Sequence, residues 1–271
     1  MQRPVRVIDI HTHAFPDGLA ARAIAALEAE TPQVHACLDG RVSSLIASMD
    51  RAGVDVSVIA SIATRPAQFA SILAWSRQIA SSRVVPFASV HPDDGDAAAH
   101  VRAVAEAGLR GIKLHPYYQG FAVDEERMAP LYAEMERLGL VLLMHAGFDP
   151  AYERRRLADA VRIAAVARRF PRLKLVAAHL GGWEDWDLAE EVLLGTPVCL
   201  DVSDSLNTMP REQALRFLER HPPECLLFGS DSPWVGQAEA LGDPLLASLP
   251  ADRLEALLGG NAARLLGTAS Q

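Results

Sequence analysis

Six side chains of the kinds that bind metal ions or transfer protons each follow a short apolar run in this chain. They are His11, His13, Lys113, His145, His179 and Asp231. Imidazole nitrogens together with a carboxylate oxygen are a common ligand set for a divalent metal ion. A carboxylate at such a site can also accept a proton from water that the metal activates. These residue types therefore predict a metal-dependent enzyme.

The spacing of the first two histidines indicates a shared site. His11 and His13 end the apolar run that begins at Val5. Residues two apart in a strand share one face, so both imidazoles are expected to project in the same direction. Asp9 falls on that face one pleat below. We expect Asp9 either to orient a ligand imidazole or to lie among lower layers of side chains.

The other candidates are weaker when each is taken alone. His145 follows the apolar residues 140–144, and His179 follows residues 175–178. Either one alone is typical of a core or loop histidine that binds nothing. Together, at the ends of consecutive predicted strands, they are better explained by a common site. Asp231 has a simpler alternative role as a turn or N-cap residue before Pro233.

Eight apolar runs separated by helix-like segments predict the fold. The predicted strands cover residues 5–13, 54–63, 84–92, 108–116, 140–147, 174–182, 198–205 and 225–234. The predicted helices cover residues 17–30, 67–82, 97–107, 125–138, 153–169, 185–194 and 211–220, with two short helices in 251–266. Near-continuous apolar strands are typical of parallel sheets covered by helices. The pattern predicts an α/β fold, a (β/α)8 TIM barrel with its site at the C-terminal mouth. A doubly wound open sheet is the alternative.

Glycines mark several of the predicted helix ends. Gly53, Gly108 and Gly139 are expected at C′ positions, where a left-handed conformation is easy for glycine. Near the C-terminus, Gly259-Gly260 followed by Asn261 predicts a C-cap and then a new N-cap.

Length and composition predict one enzyme domain over residues 1–271. Half of the residues are hydrophobic, and the net charge is −8 without a basic run, which argues against nucleic acid or an anionic membrane as partner. The three cysteines have no CxxC spacing, so neither a disulfide framework nor a thiolate zinc site is indicated. Neither a signal-peptide pattern nor an apolar stretch of ~20 residues is present. We therefore expect a cytoplasmic protein that acts on a small molecule.

Several motifs resemble those of the amidohydrolase superfamily, specifically its amidohydrolase-2 branch, which includes aminocarboxymuconate semialdehyde decarboxylase. The motifs are Asp9-Ile10-His11-Thr12-His13, Gly111-Ile112-Lys113-Leu114-His115-Pro116, His145-Ala146-Gly147, Ala178-His179-Leu180-Gly181-Gly182, Gly229-Ser230-Asp231-Ser232-Pro233 and Gly260-Asn261-Ala262-Ala263-Arg264-Leu265-Leu266-Gly267. They occur in family order from end to end of the chain. The resemblance is specific to the superfamily and not to a substrate.

The resemblance implies roles for the candidate residues. His11, His13, His145 and Asp231 would bind one divalent metal ion, commonly zinc. His179 would lie beside the activated water as a general base or electrostatic partner, and Asp231 would share in proton transfer. Relatives often form homodimers, so a homodimer is one option for this chain.

Lys113 has two alternative roles. An inward lysine on the fourth strand resembles the carboxylated lysine that bridges two metal ions in binuclear relatives. In the branch that this chain resembles, one metal usually suffices, and we favour a cationic Lys113 that faces a substrate oxyanion. A second metal ion would follow if Lys113 is carboxylated. His115 shares a face with Lys113, but it precedes Pro116 and is interpreted as a loop residue.

Residues after the strands are candidates for substrate binding. Arg65 follows the second strand and could pair with a substrate carboxylate; a solvated loop arginine is the alternative. Trp183 is expected to contact substrate, and Tyr117, Tyr118 and Trp234 could complete an aromatic wall.

Hydrolysis is the favoured reaction. We expect cleavage of a C–N or C–O bond, of the amide or lactone type, by activated water. Metal-dependent decarboxylation of an unsaturated or aromatic acid is the alternative. A barrel that binds metal only structurally is a third option, but structural zinc sites are usually closed, whereas these residues would surround an open mouth.

Overall fold

The computed structural model describes residues 5–268, and eight short parallel strands form its centre. The strands are β1 (Ile8–Thr12), β2 (Val56–Ala60), β3 (Val84–Phe87), β4 (Gly111–Leu114), β5 (Val141–Met144), β6 (Lys174–Ala177), β7 (Cys199–Asp201) and β8 (Leu226–Leu227). β1 to β3 pair in sequence order, and so do β4 to β8. Each strand lies within a predicted run, and all eight are shorter than predicted.

Backbone hydrogen bonds join the two sheets into a closed barrel. Between β3 and β4, the amide of Ala88 donates to Gly111 O and the amide of Lys113 donates to Ala88 O, at 3.1 and 2.9 Å. Between β8 and β1, the amide of Asp231 donates to His11 O at 2.9 Å. Because no edge is left open between these strands, the TIM-barrel prediction is confirmed and the open-sheet alternative is wrong.

Helices of varied length follow the strands. They are α1 (Asp17–Glu30), α2 (Val42–Ala52), α3 (Phe69–Ile79), α4 (Ala97–Glu106), α5 (Pro116–Gln119), α6 (Ala129–Leu138), α7 (Ala160–Arg169), α8 (Trp186–Leu193), α9 (Arg211–Arg220), α10 (Gln237–Leu241), α11 (Pro244–Ala247), α12 (Ala251–Glu255) and α13 (Asn261–Leu266). Short 3₁₀ segments cover Pro66–Gln68, Glu126–Met128, His179–Gly181 and Pro223–Cys225. None of the helices between residues 5 and 268 is long and apolar enough to cross a membrane.

Local sequence explains where several helices begin and end. Gly53, Gly108 and Gly139 have φ values of 75°, 76° and 66°, which confirms the predicted left-handed helix ends. The helix predicted over residues 153–169 begins only at Ala160. Asp159 is its N-cap, and its carboxylate accepts from the first amides of the helix, so the residues before it remain irregular.

The C-terminal segment departs from the prediction. A π-helix, Ala256–Gly260, joins α12 to α13 without interruption, so the predicted C-cap and N-cap are wrong. Gly259 is required by a close approach, because an added Cβ would lie 1.9 Å from Arg6 O. The Asn261 amide does not cap a helix and instead donates to Leu226 O at 2.7 Å. The segment is thereby anchored below β8.

Apolar side chains pack on both faces of the strands. Side chains from β1, β2, β5, β6 and β8 pack together in one buried cluster that includes Ile10, Val58, Leu143 and Val176. A larger cluster lies between the strands and helices α4 to α9. Burial on both sides explains why the strands read as nearly continuous apolar runs.

Candidate active site

A β-bulge in β1 determines which side chains enter the barrel mouth. The register of β1 against β2 shifts between Asp9 and Thr12. Asp9 therefore does not share the face of His11. Its carboxylate accepts hydrogen bonds from Ser230 Oγ and Gln237 Nε2, at 2.7 and 2.8 Å. Both expected roles of Asp9, orienting a ligand imidazole or lying among lower layers of side chains on the face of His11, are therefore wrong, because a bulge changes which face successive residues occupy.

Burial raises the pKa of the Asp9 carboxyl to about 6, although hydrogen bonds from Gln237 and Ser230 oppose the shift. This carboxyl ties β1 to the segment after β8 and to α10. Its hydrogen bonds hold the first strand of the barrel against the segment that follows the last strand.

His11 lies at the centre of the site. Its Nδ1 is 3.1 Å from Asp201 Oδ2 and 3.0 Å from Ser203 Oγ. A carboxylate accepts hydrogen bonds, so Asp201 holds the proton on Nδ1 and the lone pair is on Nε2, which lies 3.0 Å from Lys113 Nζ. Burial and the charge of Lys113 keep the pKa of His11 well below its usual value, even though Asp231 acts in the opposite direction.

Three more imidazoles have one nitrogen bonded to a backbone carbonyl. His13 Nδ1 is 2.9 Å from Ala60 O, His145 Nε2 is 2.9 Å from Phe148 O, and His179 Nδ1 is 3.0 Å from Ser203 O. A carbonyl oxygen can only accept, so that nitrogen carries the proton. The free lone pairs are then on His13 Nε2, His145 Nδ1 and His179 Nε2. Metal-binding histidines are usually oriented in this way.

The carboxylate of Asp231 faces two of these lone pairs. Its Oδ1 lies 3.1 Å from His13 Nε2 and 3.4 Å from His11 Nε2. Three acceptor atoms at this spacing repel each other unless a proton or a cation lies among them. Burial alone raises the pKa of Asp231, but the neighbouring His11 and His13 outweigh burial and hold it below its usual range. The donor set fits a divalent metal ion.

The structure does not place the four predicted ligands in one tight group. His11, His13 and Asp231 have ligand atoms within 4.8 Å of one another, whereas His145 forms such a group with His115 and Asp149. The His145 ring lies 5.1 Å, centroid to centroid, from the ring of His179, which in turn lies 5.2 Å from the His11 ring of the first group. Its place as fourth ligand stays a prediction.

His179 reaches the site through an unusual backbone. His179 and Leu180 have φ values of 57° and 51°, which are uncommon for residues other than glycine. The His179 amide donates to Asp201 Oδ1 at 3.1 Å. This conformation brings the His179 ring to 5.2 Å from the His11 ring. Strain of this kind often occurs at functional sites.

Lys113 lies inside the site and not at its rim. It is 1% exposed, and its Nζ is 3.0 Å from His11 Nε2. Burial lowers the pKa of Lys113 to about 8, although Asp231 and Asp201 oppose the shift. This position is compatible with both predicted roles, since either a cation or a carboxylated amine would face the ligand atoms.

A glycine sets the contact between the loops that follow β5 and β6. Gly147 has a φ of 94°, and an added Cβ would lie 2.1 Å from the amide nitrogen of Trp183. The Phe148 amide donates to Trp183 O at 2.8 Å. The same loop supplies Phe148 O to His145, so this close approach orients the imidazole and the indole together.

The structure reveals site residues that were missed or set aside in the sequence. Asp201 ends β7 as the other candidates end their strands, so the same pattern could have identified it. Asp204 lines the cleft and accepts from Trp183 Nε1 at 3.1 Å. Burial, followed by the charge of Asp231, raises the pKa of Asp204 to about 6.

His115 was interpreted as a loop residue, but it is buried beside the site. Its Nε2 lies 3.3 Å from Asp149 Oδ2, and its Nδ1 has no hydrogen-bond partner within residues 5–268. Nothing in the spacing of the sequence indicated this pair.

A cleft of about 830 Å³ opens over the candidate ligands. Arg65, Trp183, Tyr118 and Trp234 all line it, and their contact with substrate stays a prediction. Tyr117 does not, because its hydroxyl donates to Gly147 O at 3.1 Å and faces a separate, smaller pocket. The cleft volume lies in the range of small-molecule sites.

Comparisons with known proteins agree with this geometry. The family model described as amidohydrolase matches residues 8–268. No curated protein matches the chain.

Solved structures show the same fold at low sequence identity. An uncharacterised TIM-barrel protein from Bordetella bronchiseptica is 20% identical, with a TM-score of 0.79, and the match covers 98% of this chain and 100% of that one. 5-Carboxyvanillate decarboxylase from Sphingomonas paucimobilis is 17% identical, with a TM-score of 0.69 and coverage of 97% and 99%. A probable 2-pyrone-4,6-dicarboxylic acid hydrolase from Acinetobacter baumannii is 16% identical, with a TM-score of 0.68 and coverage of 97% and 99%.

Proposed function

This chain belongs to the amidohydrolase family, and on that premise we propose that it is a divalent-metal-dependent hydrolase of small molecules. The proposed reaction is cleavage of a C–N or C–O bond of the amide or lactone type. The main supporting observation is a set of four imidazoles, each with one nitrogen bonded to Asp201 or to a backbone carbonyl. The other nitrogens of two of them, His11 and His13, lie beside Asp231. We also propose the cytoplasm as its location, from the composition described above.

The ligand set is proposed from donor chemistry. His11 and His13 through Nε2, His145 through Nδ1 and Asp231 through a carboxylate oxygen would hold one ion. Zinc is the proposed metal, because nitrogen-rich sites with one carboxylate suit it. When bound, such an ion supplies Lewis acidity and makes water a usable nucleophile near neutral pH.

The chain's own residues would manage protons and charge. The Asp231 carboxylate lies beside the nitrogens of His11 and His13, where it would accept the proton of the attacking water. His179 Nε2 is free to exchange a proton with the leaving group. Cationic Lys113 would face the oxyanion that develops as the bond breaks. Asp201 and Ser203 would keep His11 in its ligand tautomer.

Decarboxylation is a second candidate, and one observation favours it. Asp204 lines the cleft with a pKa raised to about 6, so it can be a proton donor near neutral pH. In that reaction the bond between the substrate carbon and its carboxylate breaks, carbon dioxide leaves, and the carbon keeps the electron pair and takes the proton. A structural neighbour that carries a decarboxylase name is compatible with this candidate.

Metal analysis and a substrate screen test the proposal. We expect about one metal ion per chain in the purified protein, near zero in His11→Ala, and an unchanged count in the control His35→Ala, which alters an exposed histidine. A wild-type protein that holds no metal and cannot be reconstituted would contradict the proposal. Lactones, amides and unsaturated or aromatic acids are then assayed with carbon dioxide monitored. Carbon dioxide release without any hydrolytic product would replace hydrolysis by decarboxylation.

A further inference from the structure

The cleft extends from the barrel mouth into a groove between α1 and α3. Its apolar lining comes from Leu19, Ala23, Ala26 and Leu27 on α1, and from Ile72 and Trp75 on α3. We call this part of the cleft the α1–α3 groove. The spacing of three or four residues places each set on one face of its helix. The two faces therefore line one cavity, which continues to His11 and Asp231.

The groove face of α1 is not packed into the core. Ala20 alone among the residues of α1 is buried. Leu19 lines the groove and is 44% exposed. An apolar face left open beside a catalytic centre is a suitable surface for an apolar ligand. From Leu19 to Leu27 it extends about 12 Å at 1.5 Å per residue.

Two arginines give the groove a positive charge. Arg22 and Arg65 line it, and neither makes an ion pair with another residue of the described stretch 5–268, in contrast to Arg83, which pairs with Asp50. Glu30 is the acidic residue that α1 contributes to the lining. Free guanidinium groups beside an apolar surface fit a ligand that carries both an anionic group and an apolar arm.

We propose that the α1–α3 groove binds the apolar arm of an elongated, anionic substrate of this enzyme. The substrate would be an amide or lactone with a medium-length aliphatic or aryl substituent, its reacting carbonyl near His11 and Asp231 and its anionic group near Arg22 and Arg65. The type of bond that reacts is taken from the proposed function, and this inference rests on it to that extent. Beyond the proposed function, the substrate is larger than a single small ring, and the groove selects substrates that carry an apolar arm.

Binding of straight-chain carboxylates tests the groove without requiring turnover. Butanoate, hexanoate, octanoate and decanoate are titrated calorimetrically into the metal-loaded protein, each at concentrations too low for micelles. We expect affinity to rise about fourfold for each added methylene that becomes buried. An affinity that is independent of chain length would overturn the proposal.

A matched pair of variants locates the binding. Ala26→Trp fills the groove and is expected to remove the dependence on chain length. Ala25→Trp changes an exposed neighbour on the same helix, outside the lining, and should keep the wild-type dependence. Equal behaviour of the two variants would overturn the assignment to the groove.

Charge is tested separately. Arg22→Gln should weaken octanoate up to about fivefold, since exposed ion pairs contribute little, and should leave octanamide unchanged. An equal effect on both ligands would overturn the role of the guanidinium group in binding the anion.

Two further measurements separate this inference from its alternatives. Sedimentation tests whether a second copy fills the groove; a dimer that Ala26→Trp dissociates would overturn the proposal. Metal content and hydrolysis test the proposed function. A protein that shows the chain-length dependence but no hydrolysis contradicts the proposed reaction and still supports the groove as a binding site.

Discussion

Within residues 5–268 the barrel mouth carries three groups of two histidines and one aspartate, of which one is His11, His179 and Asp201. The other two groups differ in how their rings face each other. In the inner group, His11, His13 and Asp231, the two rings are edge to face at 68°. In the outer group, His115, His145 and Asp149, the two rings are stacked at 19° with centroids 4.0 Å apart. Both groups have ligand atoms within 4.8 Å of one another.

The inner and outer groups have the same composition but differ in the orientation of their rings. The lone pair of an imidazole nitrogen lies in the plane of its ring. Two nearly parallel rings 4.0 Å apart therefore cannot both direct a lone pair at one ion about 2.0–2.1 Å from each nitrogen. The edge-to-face rings of the inner group can do so. Histidine and aspartate close together are thus not sufficient for a metal site; the ring planes and tautomers must also converge.

The largest expected effect is on metal content. His13→Ala removes a proposed ligand of the inner group and should leave the protein almost free of metal, whereas His115→Ala should keep about one ion per chain. Elemental analysis of the two purified variants measures the difference, with thermal unfolding as a check on folding. Equal loss of metal in both variants would show that His115 also binds the ion.

The next expected effect is on turnover. Asp231→Asn keeps an oxygen atom for the proposed metal but loses the proposed proton acceptor, so kcat should fall by about 10²–10⁴ while much of the metal remains. Turnover and metal content are measured on the same preparation. Retained activity would remove Asp231 from proton transfer and leave it as a ligand only.

A smaller effect is expected when the inner group loses its external support. Asp201→Asn no longer holds the proton on His11 Nδ1, and metal affinity should fall about 10–100-fold. Competition with a chelator measures this change. Asp9→Asn is the matched control, because Asp9 is an equally buried carboxyl that contacts no imidazole ring. It should lower the free energy of unfolding without changing metal affinity, and a similar loss of affinity in both variants would refute the explanation by tautomer.

The smallest effect is expected in the outer group. Asp149→Asn weakens the contact that orients His115, and we expect less than about a tenfold change in kcat/KM with no change in metal content. A large drop in metal content would instead give Asp149 a direct share in metal binding. Steady-state kinetics and elemental analysis together distinguish the two results.

The sequence was most informative where a strand ends. An apolar run followed by a histidine or aspartate predicts a strand and also the end of the barrel at which the polar side chain lies. The eight strands and the positions of His11, His13 and Asp231 were predictable for this reason. The face of β1 on which Asp9 lies was not predictable, because no reliable pattern in a single sequence indicates a β-bulge.

The outer group shows more clearly which contacts cannot be predicted from a single sequence. His115 and Asp149 lie 34 residues apart in the chain and meet because the turns after β4 and β5 adopt particular conformations. Those conformations depend on contacts such as the approach of Gly147 to Trp183. Local patterns do not encode such a contact. Asp201, in contrast, ends its strand like the other candidates and was available to the same reasoning.

The hydrogen bonds that close the barrel between β8 and β1 have a consequence for synthesis. They bring Asp231 beside His13, 218 positions earlier in the chain, and at about 5–20 residues per second a ribosome takes roughly 10–45 s to cover that interval. During this time the nascent chain carries His11 and His13 without the carboxylate that completes their group. Neither barrel closure nor the full ligand set can therefore precede the emergence of the last strand. We expect metal loading to be a late event in the life of each new chain.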